Sequence, residues 1–106
     1  MLKSSRPGPH AAPKHLAPPE AQLWDRLIRS FTLDDPASQE LLLQACEARG
    51  RARQAREQLA EEGSTFKDDR GNIKAHPAVS TARAAEASFL SALRLLRLDT
   101  GGEPKR

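Results

Sequence analysis

The chain has 106 residues, of which 17 are Lys or Arg and 14 are Asp or Glu, giving a formal net charge of +3. This length predicts one small domain with a thin margin of stability, and the single cysteine, Cys46, excludes an internal disulfide. No apolar run approaches the roughly 20 residues of a membrane span, and the first residues lack the apolar centre of a secretory signal, so we expect a soluble, cytoplasmic protein.

A basic, proline-rich tail opens the chain. Its charged residues are Lys3, Arg6 and Lys14, and the other 14 basic residues match the 14 acidic ones in number. Recurring prolines and few bulky side chains disfavour helix and leave little to bury, which predicts disorder over residues 1–16. Such an arm is either a tether that seeks the phosphates of nucleic acid or an inert leader, and the residues alone leave both open.

The first helix is predicted to begin near Pro19, because proline suits the first turn and Glu20 suits the positive end of the helix dipole. Its core-facing stripe consists of Trp24, Leu27, Ile28 and Phe31. Asp35 is then expected to cap a second helix that has Pro36 at its first position.

Two long helices with matching seams of small residues follow. The second helix is predicted from Pro36 to Glu62, and the last helix from Pro77 to Leu98. The seams are Leu41, Ala45, Ala48, Ala52, Ala55 and Leu59 in the former, and Ala78, Ala82, Ala85, Phe89, Ala92 and Leu96 in the latter. Because small side chains let helix backbones approach closely, the seams predict an antiparallel helical hairpin and an all-α fold.

The middle of the second helix has two further features. Gly50 marks a bend or a close approach, since a helical glycine costs about 1 kcal/mol relative to alanine. Three arginines, Arg49, Arg53 and Arg56, share one line along the helix, and Arg51 lies on another face. The line is a phosphate-binding stripe, a solvated face with ion pairs to nearby glutamates, or a contact with acids of another copy.

The connector between the long helices, Ser64 to His76, predicts a small two-stranded hairpin around a glycine turn. An isolated hairpin is marginal, so we expect Phe66 and Ile73 to pack on the helices. His76 precedes Pro77 and suits a cap or loop role.

The last helix carries more leucines than one partner helix can cover. Beyond its seam these are Leu90, Leu93, Leu95 and Leu98. We expect the first helix, another subunit, or both to cover them.

The predicted elements divide the chain into a tail (1–16), a helical domain (17–99) and a flexible end (100–106).

Catalytic motifs are missing from the sequence. It has no phosphate-binding loop with the G-x-x-x-x-G-K-[ST] pattern, no H-E-x-x-H, no C-x-x-C and no G-x-S-x-G. Its histidines and Cys46 show no metal-binding spacing. We therefore expect a protein that is not an enzyme and that uses no cofactor or metal.

The succession of features resembles the phage terminase small subunit family, in the branch with a proline-rich basic tail. The resemblance covers Leu16 to Leu98. Its marks are Pro18-Pro19-Glu20, Trp24 in the first helix, an arginine- and alanine-rich helix ending Glu61-Glu62-Gly63, the strand-like insert, and His76-Pro77-Ala78 opening the last helix.

This resemblance implies a non-catalytic DNA-packaging component that forms a ring, binds double-stranded viral DNA where packaging starts, and delivers it to the large terminase subunit. The implied DNA-contact residues are Lys3, Arg6, Lys14, Arg49, Arg51, Arg53 and Arg56. The implied oligomer interface comprises Leu41, Ala45, Ala52, Phe89, Leu90, Leu95 and Leu98. The alternative interpretation is a small helical regulator or antitoxin-like protein that acts by binding another protein.

Overall fold

The computed structural model describes residues 11–97, which form three helices and one two-stranded antiparallel sheet. The helices are α1 (Pro18–Phe31), α2 (Pro36–Glu62) and α3 (Pro77–Leu96). The strands β1 (Thr65–Lys67) and β2 (Ile73–Ala75) join α2 to α3. The predicted fold class, a long helical hairpin with a short first helix and a β-hairpin connector, is confirmed.

Side chains and glycine set the ends of the long helices. The Asp35 carboxylate accepts a 3.0 Å hydrogen bond from the backbone N–H of Ser38, as expected of an N-cap. α2 stops at Gly63, whose φ of 84° few other residues adopt. His76 caps α3, because its Nδ1 accepts a 2.9 Å bond from the backbone N–H of Ala78. The boundaries of α2 and the start of α3 therefore follow from local sequence.

The seam between α2 and α3 forms one part of the core. Ala45 and Ala48 of α2 cluster with Phe89 and Ala92 of α3. The other buried alanines of these two helices are Ala52, Ala55, Ala78 and Ala85. Since alanine side chains take little room, the two backbones lie close together along the hairpin.

A second core cluster lies where α1 packs on α2. It contains Trp24, Leu33, Leu42 and Cys46, all buried. Leu23 of α1 packs against both clusters and so links α1 to the α2–α3 seam. The first helix was one of the candidates to cover the leucines of the last helix. It helps to cover the hairpin, and it leaves some leucines of α3 exposed.

The β-hairpin carries two exposed apolar side chains. Phe66 is 46% exposed and Ile73 is 70% exposed. The expectation that both pack on the helices is wrong. Phe66 pairs with Lys74 and Ile73 pairs with Lys67, so the two apolar side chains occupy opposite faces of the ribbon and cannot both turn towards the helices.

The described chain before α1 makes packing contacts. Ala12 and Leu16 pack against the Trp24 cluster, and Nε2 of His15 lies 2.8 Å from a carboxylate oxygen of Glu47. Ala12, His15 and Leu16 of the predicted tail therefore contact the helices. Lys3 and Arg6 of the predicted tail lie outside the described residues.

Candidate nucleic-acid interface

Arg53 of α2 is held by a carboxylate of α1. Its Nε donates to Oε2 of Glu20 at 2.9 Å and its Nη2 donates to Oε1 at 3.0 Å, a two-pronged arrangement. Nη1 also donates to Glu57, one turn along α2, at 3.2 Å. Glu20 is 3% exposed, so this pair ties the first turn of α1 to the middle of α2.

The protonation of this pair follows from its geometry. The hydrogen bonds from Arg53 lower the pKa of Glu20 below its ordinary value, although burial acts in the opposite direction. The same contact raises the pKa of Arg53. Both groups are therefore charged at neutral pH, and Arg53 has its donors committed inside the molecule.

The other two arginines of the predicted stripe also have internal partners. The guanidinium of Arg49 lies over the ring of Phe89, 4.2 Å from its centroid. Arg56 forms an ion pair with Glu86 of α3. The line of three arginines thus connects α2 with α1 through Arg53 and with α3 through Arg49 and Arg56.

Two sequence-predicted DNA-contact residues are exposed and have no ion pair within residues 11–97. Arg51 is exposed and forms no ion pair within residues 11–97. Lys14 is exposed as well, in the turn from Pro13 to Leu16 that precedes α1. The seven predicted residues therefore fall into three groups. Arg49, Arg53 and Arg56 have partners inside the molecule, Lys14 and Arg51 are exposed, and Lys3 and Arg6 lie outside the described residues.

The sequence reasoning missed a set of exposed arginines on α3. Arg83, Arg94 and Arg97 are all exposed. The signal was present in the sequence, since Arg83, Ala87, Leu90, Arg94 and Arg97 follow one another by four and three residues alternately. The alanine seam on the opposite side of α3 has the same spacing and was the stronger pattern.

The predicted interface residues also divide into groups. Ala45, Ala52 and Phe89 are buried inside the chain, and Leu41 is half-buried. Leu90 and Leu95 are exposed, by 46% and 68% of their surface. Leu98 lies outside the described residues. Of the predicted interface residues within residues 11–97, Leu90 and Leu95 therefore keep the most apolar surface in solvent.

The described cysteine and the histidine before α3 have structural roles. Burial raises the pKa of the Cys46 thiol to about 12, so it stays protonated at neutral pH. His76 accepts a bond at Nδ1, which leaves Nε2 to donate to Glu62 at 2.7 Å. Residues 11–97 hold no cluster of three or more His, Cys, Asp or Glu side chains suited to a metal ion.

Comparison with known proteins identifies the family. A model of the family described as phage terminase, small subunit, matches residues 21–102. The chain belongs to that family. No curated protein and no solved structure matches this terminase small subunit.

Family membership gives this terminase small subunit a role in phage DNA packaging. Small subunits of the family are generally the non-catalytic component of packaging. Among the helices of residues 11–97, none has the length and apolar content needed to cross a bilayer.

Proposed function

We propose that this chain assembles into a ring of identical copies, binds double-stranded phage DNA where packaging starts, and presents that DNA to the large terminase subunit. Membership in the small subunit family supports the proposal at the level of the packaging role. Assembly and DNA binding are supported further by exposed apolar and basic side chains, and presentation of the DNA to the large subunit is supported by family membership alone.

The observation that carries the assembly is the apolar surface that the isolated chain leaves uncovered. Phe66, Ile73, Leu90 and Leu95 are all exposed. Complete burial of a side chain of this size is worth roughly 1.5–3 kcal/mol. Four such side chains in an 11.6 kDa chain favour contact with further copies, because each copy both offers and covers apolar surface.

The interface is proposed to use the α2–α3 hairpin in two ways. Leu90 and Leu95, with Leu98 beyond the described residues and the half-buried Leu41, contact a neighbouring copy. Ala45, Ala52 and Phe89 act indirectly: they are buried inside the chain and fix the pairing of the helices that present those leucines.

DNA binding is proposed to begin with the tail and the exposed cations beside it. Lys3, Arg6 and Lys14 supply three positive charges ahead of α1, and Arg51 adds an exposed guanidinium on α2. Such groups attract phosphates at long range and give binding that weakens steeply with salt. Arg49, Arg53 and Arg56 contribute by holding the three helices together.

Analytical ultracentrifugation of the full chain with a fluorescent duplex tests the proposal. We expect a species that contains several copies of the 11.6 kDa chain and sediments together with the duplex at low salt, and whose DNA is released as salt rises. A stable monomer or dimer that leaves the duplex free would contradict the proposal and favour a protein-binding regulator.

A further inference from the structure

One exposed flank of α3, here called the α3 basic flank, consists of Arg83, Ala87, Leu90, Arg94 and Arg97. These residues follow one another by four and three positions alternately, which places them on one side of the helix. All five are exposed, and Leu90 keeps 46% of its surface in solvent. The flank lies away from the buried seam of Ala78, Ala85, Phe89 and Ala92.

The positive charge of this flank has no ion-pair partner within the part of the chain that the structure describes. The acidic residue of α3 is Glu86, and its carboxylate pairs with Arg56 of α2. Within residues 11–97, no carboxylate lies within ion-pair distance of Arg83, Arg94 or Arg97. The Arg56–Glu86 pair therefore removes the one negative charge that α3 would otherwise place beside its three arginines.

Stabilisation of the helix does not account for the whole flank. Arg94 lies in the last turn of α3 and Arg97 is its C-cap, where cations interact favourably with the helix dipole. Arg83 lies in the second turn, near the positive end of the same helix, where that dipole gives a cation no advantage. An external anion explains all three positions.

The spacing of the arginines suits duplex DNA. Arg94 lies eleven positions after Arg83, which is about 16 Å along a helix. This span exceeds the roughly 12 Å width of the major groove, so the two guanidinium groups can reach phosphates on both of its edges. Arginine is well suited to such contacts because its planar donors pair with phosphate oxygens.

We propose that the α3 basic flank binds the phosphates of double-stranded DNA. This inference rests on the proposed function, since it assigns to named residues of α3 a DNA contact that the assembled protein makes. Leu90 lies on the same side of α3, and in the proposed function it contacts a neighbouring copy, which places this DNA contact beside the subunit interface.

The test compares two double variants that remove the same charge. R83Q/R94Q changes the α3 basic flank. R26Q/R29Q changes two exposed arginines of α1 that likewise have no ion-pair partner within residues 11–97. Each pair includes one arginine from the last turn of its helix, Arg94 or Arg29, so any effect on the helix dipole is similar.

Binding of a fluorescent duplex is measured by anisotropy over a series of salt concentrations. The slope of log K against log salt is negative, and each lost phosphate contact makes it less steep by about 0.9. We expect R83Q/R94Q to make this slope less steep by about 2 per chain and to weaken binding at least about tenfold near 0.1 M salt. We expect the affinity of R26Q/R29Q for the duplex to stay within about twofold of that of the unmodified chain.

Three results would overturn the inference. Equal losses in the two variants would mean that only total charge matters, and unchanged binding by R83Q/R94Q would remove the flank from the DNA contact. A fall in assembled mass for R83Q/R94Q, measured by light scattering, would assign the flank to a protein neighbour. Failure of the unmodified chain to bind duplex would instead refute the DNA-binding part of the proposed function, and this inference with it.

Discussion

Glu20 holds the first turn of α1 against the middle of α2. It is a buried carboxylate held by two hydrogen bonds from Arg53, and its side chain crosses the middle of α2 at Gly50. A methyl group on Gly50 would lie 3.4 Å from Cδ of Glu20, which is close to an ordinary contact. Of the two sequence explanations for this glycine, a bend or a close approach, the contact with Glu20 supports the second.

Replacing Gly50 with alanine is expected to stabilise the protein. The methyl group fits beside Glu20, and alanine gains up to about 1 kcal/mol of helix propensity over glycine. In a domain of this size that corresponds to a rise in Tm of about 4–8 °C. Thermal unfolding followed by circular dichroism measures the shift. G50L is the contrasting variant, since its larger side chain must displace Glu20, and a higher Tm for G50L would contradict this explanation.

Replacing Glu20 with glutamine is expected to destabilise the protein in a pH-dependent way. The pKa of Glu20 is lowered in the folded state, so its contribution is present above its ordinary value of 4.5 and is lost as pH falls through the lowered pKa. At pH 7 we expect a loss of about 1–3 kcal/mol. Urea unfolding at several pH values measures the difference, which should shrink below pH 4.5. A difference that stays constant down to pH 2 would contradict the assignment.

At the residue scale, the sequence identified the helix faces and left their partners unknown. Periodicity placed Arg49, Arg53 and Arg56 on one line, and that line exists. The partner of each arginine depends on how α1 and α3 pack, because it is distant in sequence. Glu20 lies 33 positions before Arg53, Phe89 lies 40 positions after Arg49, and Glu86 lies 30 positions after Arg56. The three were therefore predicted as one DNA-contact stripe, although each has a partner inside the molecule.

At the scale of elements, the β-hairpin is the least supported part of the fold. Both of its strands have three residues, and every strand residue is exposed. Its turn is held by Asp68, whose Oδ1 accepts hydrogen bonds of 2.9 Å from the backbone N–H groups of Arg70 and Asn72. This side chain replaces the core contacts that the hairpin lacks.

Replacing Asp68 with alanine is expected to loosen the hairpin and leave the helices intact. The variant loses two turn bonds, each worth about 0.5–1.5 kcal/mol, in a hairpin that is marginal already. Amide hydrogen exchange followed by NMR should show faster exchange at the hairpin bonds and unchanged exchange in α2. The neighbouring D69A variant is the control, and equal effects of the two changes would contradict the role of Asp68.

The elements show where local sequence is sufficient and where it fails. The limits of α2 and the start of α3 were predictable, because each depends on a hydrogen bond to nearby backbone. Asp35 and His76 cap the first turns of α2 and α3, and Gly63 follows the last turn of α2. Phe66 and Ile73 were misplaced because the expectation assumed that apolar side chains find cover within their own chain. That assumption has no basis when the covering surface belongs to another molecule.

At the scale of the whole molecule, the core is complete between the helices, and apolar surface remains at two separate places. Phe66 and Ile73 lie on the connector, and Leu90 and Leu95 lie towards the far end of α3. Exposed apolar side chains at two separate places on one chain allow each copy to contact two neighbours, which is the arrangement that a closed ring requires. Assembly is therefore the central claim of the proposed function.

Light scattering on a sizing column tests this claim most directly, with the unmodified chain and the F66S/I73S variant at micromolar concentration. Because Phe66 and Ile73 do not belong to either core cluster, the variant should keep its helical content, measured by circular dichroism, and lose assembled mass. T65S/A75S, which alters the same strands without removing a large apolar side chain, should assemble normally. We expect the unmodified chain to have several times the mass of 11.6 kDa. A mass of 11.6 kDa for the unmodified chain would contradict the account.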